Sequence, residues 1–132
     1  MPELIAALFT LLAQAAAAVN PALLVRRRRR LRRLADHARG LAVRVPCDLC
    51  DRGLTAGRWC EGHLELPPGG AGGPVRWYAE GAPAALPAGF PPLEPVSADE
   101  LSVAFRSEDG ATELRLHPDE APMVLRVLRA GP

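Results

Sequence analysis

The chain has 132 residues, room for one small domain and an appendage. Its formal charge of +1 conceals two unlike parts: residues 1–44 carry nine Arg against Glu3 and Asp36, a balance of +7, and residues 45–132 carry seven Arg against thirteen acidic residues, a balance of −6. Three cysteines, an odd number, exclude the paired framework of a small secreted domain and fit reduced thiols in a cytosolic one. The basic residues are all Arg, in a chain rich in Ala, Gly and Pro. That bias reads as high-GC coding, so the preference for Arg over Lys carries no chemical message by itself.

Residues 4–25, "LIAALFTLLAQAAAAVNPALLV", hold no charge. As a helix this stretch is about 33 Å long at ~1.5 Å per residue. That is enough for a hydrocarbon core of roughly 30 Å. A cleaved signal peptide needs positive charge ahead of its apolar run. Here only Met1, Pro2 and Glu3 precede the run, and "RRRRRLRR" (Arg26 to Arg33) follows it. The expectation is a single-pass transmembrane helix over residues 1–25, with the N-terminus outside and the rest cytoplasmic.

Arg26, Arg27, Arg28, Arg29, Arg30, Arg32 and Arg33 then read as the charge block that sets topology and binds anionic lipid headgroups, at about 1 kcal/mol each. Leu24, Leu31, Leu34 and Ala38 recur at helical spacing, which extends a juxtamembrane helix over 26–40 with Gly40 as its cap. Nucleic acid is the less favoured ligand. No aromatic side chain accompanies the run to stack on bases, and the domain behind it is acidic.

From Leu41 the period becomes two. "LAVRV" alternates and is expected to stop at Pro46. In "RWCEGHLEL", Cys60, Gly62, Leu64 and Leu66 share one face, and Trp59, Glu61, His63 and Glu65 the other. "PPGGAGGP" is a turn, and "VRWYA" is expected to form a hairpin with the preceding strand. Residues 81–95 hold five prolines and read as a long loop packed by Leu86, Phe90 and Leu93. Beyond a short turn at Ser97–Glu100, "LSVAF" and "TELRL", joined by "SEDG", make a second hairpin. The chain ends in a helix with Asp119 as N-cap and a stripe of Ala121, Val124, Leu125 and Leu128. The expected class is α+β: a transmembrane helix, then about five strands in a small antiparallel sheet or partial barrel over residues 41–132, closed by the C-terminal helix.

This order of features resembles an actinobacterial family of single-pass membrane proteins, the domain-of-unknown-function 2550 family. Val45-Pro46, Trp59 with Gly62, and Trp77-Tyr78 carry the resemblance. It covers most of the chain and implies a pleckstrin-homology-like sheet-plus-helix domain, with no activity attached. Cys50, Cys60 and the long Ala/Pro loop depart from the family pattern.

One cluster has the composition of a metal site: Cys47, Cys50, Cys60 and His63 in a C-x2-C-x9-C-x2-H spacing. The strand reading counts against it, because residues 60 and 63 then point to opposite faces. A redox role for Cys47 and Cys50 lacks its usual βαβ setting. Trp59, Trp77 and Tyr78 are candidates for a groove or for cross-strand pairs that hold the sheet together. His37, His63 and His117 are isolated, no nucleophile elbow or phosphate loop occurs, and Asp119-Glu120 read as turn and cap residues. The expectation is a non-catalytic interaction module without cofactor, facing a membrane surface and an unidentified protein partner.

Overall fold

The computed structural model describes residues 3–8, 21–69, 73–82 and 84–130. Its contacts divide the chain into two units, Met1–Arg32 and Arg33–Pro132. Residues 3–8 are helical. A long helix α1, Pro21–Ala38, runs through the arginine cluster and across the unit boundary. Then come β1 (Val43–Asp51), β2 (Trp59–Leu66), β3 (Arg76–Ala79), β4 (Leu86–Pro87), β5 (Leu93–Ala98), β6 (Val103–Ser107), β7 (Thr112–Leu116) and the helix α2 (Ala121–Ala130).

The expected transmembrane helix is corrected here. Residues 9–20, the middle of that stretch, lie outside the described residues. Among the described residues no helix is long and apolar enough to cross a membrane. Residues 21–25 belong to a described helix that carries the arginine cluster. They open that helix, whose next eight positions hold seven arginines, so its sequence is dominated by charge. This overturns the fold class built on a membrane helix, and with it the single-pass location with an outside N-terminus and a cytoplasmic domain.

The second unit is built on a sheet of seven antiparallel strands in the order β4-β3-β2-β1-β7-β6-β5. β4 and β5 are its two edges, so the strands form an open sheet, not a closed ring. Alternation puts Val45, Leu49, Leu64, Leu66, Trp77 and Leu114 on the inner face, each no more than 1% exposed. Burying one such aliphatic side chain is worth about 1.5–3 kcal/mol. α2 covers that face with Ala121, Met123 and Val124, and Leu34 from the last turns of α1 packs against the same core.

Two strand expectations change. β1 does not stop at Pro46 but continues to Asp51. It pairs with β2 from Val43 to Cys50, but with β7 only from Asp48 onward. Pro46 therefore lies where one flank of the strand is unpaired, and its missing N–H costs no ladder bond. The proline-rich stretch, expected as loop, supplies both edge strands. β5 pairs with β6 through a bulge between Pro95 and Ser97.

α1 ends in a Schellman cap. Leu41 N–H donates to Asp36 C=O at 3.0 Å and Gly40 N–H to His37 C=O at 2.9 Å, with Gly40 at φ +85°. At Gly62 any side chain is excluded, because a Cβ there would lie 2.0 Å from Tyr78 O and 2.6 Å from the Trp77 ring.

Candidate functional site

The arginine run separates into two roles. Arg26, Arg27, Arg28, Arg29 and Arg32 are exposed on α1, and Arg30 is half-buried. Leu23, Leu24, Val25 and Leu31, each about half exposed, interleave with them. Arg is a good helix former, but like charges three and four residues apart repel along a helix. Arg26 faces Arg29 and Arg30 in this way, and Arg28 faces Arg32. Such a helix carries concentrated positive potential that an anionic surface would relieve.

Arg33 is different. Its Nε donates to Glu120 Oε2 at 2.7 Å and its Nη2 to Glu120 Oε1 at 2.9 Å, a two-pronged pair within the second unit. The side chains are 19% and 2% exposed. Arg33, expected among the headgroup-binding residues, is thus occupied by a buried carboxylate. Glu120, expected as a turn and cap residue, is the buried partner just ahead of α2. The two lie 87 positions apart in sequence, so no local pattern could have joined them.

The aromatic candidates sit on opposite faces of the sheet. Trp77 points into the core against Gly62. Trp59 and Tyr78 lie on the outer face. The Arg115 guanidinium covers the Trp59 ring at 4.0 Å, and that of Arg44 lies 4.7 Å from the Tyr78 ring, which stacks on His63 at 6.0 Å. Arg44 also meets Glu65 at 3.4 Å. The two outer-face rings already hold cations of this chain, at about 0.5–1 kcal/mol for a cation–π contact at an exposed site, and Trp77 shares no groove with them.

The Cys/His set is divided by the same register. Cys47 pairs with Gly62 and Leu49 with Cys60, which puts both thiols on the inner face. Cys50 and His63 fall on the outer face, opposite Trp59 and Pro46. No group of three or more metal-ligating side chains converges among the described residues. All three thiols are free, and burial, with the Asp48 charge beside it, pushes the Cys47 thiol far up.

Across the outer face runs a row of carboxylates. Asp48 is paired with Glu61 on β2 and with Arg115 on β7. Protonated Glu61 donates a hydrogen bond to the Glu80 carboxylate, and the charges of Glu80 and Asp48 add to this, so its pKa is raised. At the end of β1, Asp51 Oδ1 accepts the Gly53 and Leu54 amides at 2.9 Å and its Oδ2 accepts the Thr112 hydroxyl at 2.6 Å. Partial burial opposes its charge, but these three donors prevail and hold its pKa low. That residue ties a loop to β7 and is structural.

Together the described parts define an antiparallel-sheet module that carries an arginine-rich helix. No family model, no curated protein and no solved structure matches this chain.

Proposed function

We propose that the protein is a non-catalytic interaction module whose helix α1 docks laterally on anionic headgroups at a lipid surface. The observation that supports this is the exposed side-chain set of α1. Arg26 to Arg29 and Arg32 supply cations, while Leu23, Leu24, Val25 and Leu31 supply apolar area on the same turns. A helix of this composition lies in an interfacial plane, with side chains in the headgroup layer and the backbone bonds satisfied internally. Arg33 takes no part, because it holds Glu120.

Flotation of the full chain with phosphatidylcholine vesicles, with and without phosphatidylglycerol, tests the reading. Binding should require the anionic lipid and fall as salt is raised. Replacing Arg26 to Arg29 with Gln should lower the partition coefficient steeply, at about fivefold per arginine if each is worth about 1 kcal/mol. Equal binding to neutral vesicles would sink the proposal. So would an unaffected quadruple variant, or tighter capture by duplex DNA than by the anionic vesicles.

A further inference from the structure

Beside α2 an open hollow of about 670 Å3 lies over the end of the sheet. Its volume is in the range of small-molecule sites. Val103 and Phe105 from β6 and Leu125 from α2 give it an apolar floor. Arg126 and Arg129 stand at its rim, three residues apart on one face of α2. Both are exposed, and neither forms an ion pair among the described residues. No acidic side chain lines the hollow. The two guanidiniums repel one another along the helix, and a single carboxylate between them would accept charge-assisted hydrogen bonds from both.

We infer that this hollow binds an amphipathic anion: an acyl chain on the floor of Val103, Phe105 and Leu125, its carboxylate held by Arg126 and Arg129. The walls favour an acyl chain over a peptide. Pro95, Pro118 and Pro122 line the hollow and have no backbone N–H to offer. A bound peptide would gain no backbone hydrogen bond from the N–H side of these three residues. An acyl chain needs none, and each methylene it buries adds affinity. The site uses residues of the second unit alone, so it stands independently of the headgroup reading of α1.

Calorimetric titration of the full chain with dodecanoate, below its micelle concentration, tests the inference. Stoichiometric binding is expected, at least about tenfold tighter than octanoate, since four methylenes fully buried would give more than this. The double variant Arg126→Gln/Arg129→Gln should weaken dodecanoate by about tenfold or more while leaving dodecanol binding unchanged, which also reports that the hollow is still folded. The Arg26 to Arg29 quadruple Gln variant should bind dodecanoate as the parent does. The inference is overturned if affinity ignores chain length, if the rim variant binds as the parent does, or if the α1 variant loses binding. It is equally overturned if dodecyltrimethylammonium binds as well as dodecanoate, or if an acidic peptide displaces dodecanoate.

Discussion

Substituting Arg33 with Ala separates the structural arginine from its neighbours. The helix loses nothing in propensity, since Ala is the best helix former. What is lost is the two-pronged pair to Glu120, whose carboxylate is 2% exposed. A carboxylate left buried and unpaired is strongly unfavourable, and breaking such a pair from one side costs about 3–5 kcal/mol. Small domains have only about 5–15 kcal/mol of stability in all, so this one change removes a large fraction. With a urea slope of about 1–3 kcal/mol per M, the unfolding midpoint should fall by roughly 2 M. Glu120→Ala should cost less, because the Arg33 side chain is 19% exposed and its guanidinium can reach water. Adding Glu120→Gln to Arg33→Ala should recover part of the loss, since a neutral amide is cheaper to bury than a charge. The exposed Arg32→Ala is the control and should lie within about 0.5 kcal/mol of the parent. Urea titration followed by far-UV circular dichroism reads all four. If Arg33→Ala unfolds with the Arg32→Ala midpoint, the pair contributes no net stability and the assignment of Arg33 to the fold fails.

Gly62→Ala should destabilise by about 3 kcal/mol or more in the same assay, because its Cβ would sit inside contact distance of backbone and of the Trp77 ring; a loss under 1 kcal/mol would mean the β2–β3 register is wrong. Native thiol titration should label Cys50 and Cys60 first and reach Cys47 only on unfolding, since burial both covers that thiol and keeps it protonated. Zinc added to the folded chain should produce no stoichiometric uptake and no rise in Tm, because the four candidate ligands face two ways. Acid should destabilise the fold through Asp51, Asp99 and Asp109, whose pKa values are all lowered in the folded state. Their stabilisation is present above the ordinary carboxylate pKa near 3.8 and is lost as pH falls below it through the folded values. Asp51→Asn should flatten part of that acid limb, and an unchanged limb would remove Asp51 from the explanation.

How much of the sheet was legible follows from which face each strand leaves wet. β2, β3 and β7 each bury one side only, so their side chains alternate and period two identifies them. Pro46 reads as the end of β1 because a proline argues against a central strand, yet β1 is central only from Asp48 onward, where β7 joins it. β4 and β5 were hidden for a related reason. Edge strands need donors on one side alone, so Pro87 and Pro95 are tolerated in a stretch whose composition says loop. The Ala-rich N-terminal run misled in the other direction. Absence of charge over residues 4–25 suggests a span, yet the described helix Pro21–Ala38 holds seven arginines, and charge at that density outweighs the five apolar residues at its start.

The candidate site was legible in composition and illegible in assignment. Counting arginines treats the seven as one block, but a helix turns about 100° per residue and cannot present them all one way. Arg33 shares its side of α1 with His37 one turn on, and the adjacent Leu34 reaches the core. Arg32, one step earlier, points to water. The long-range partner decides the rest. Glu120 is held just ahead of α2 by the His117 turn, where Glu120 N–H donates to His117 C=O at 3.0 Å. Only when α2 lies on the sheet does its carboxylate reach the last turns of α1. The pair therefore depends on tertiary structure, and a headgroup-binding assay on Arg33→Ala would confuse lost charge with lost fold. Substitutions at Arg26 to Arg29 are free of that coupling among the described residues, so they are the ones that can report on ligand binding by α1.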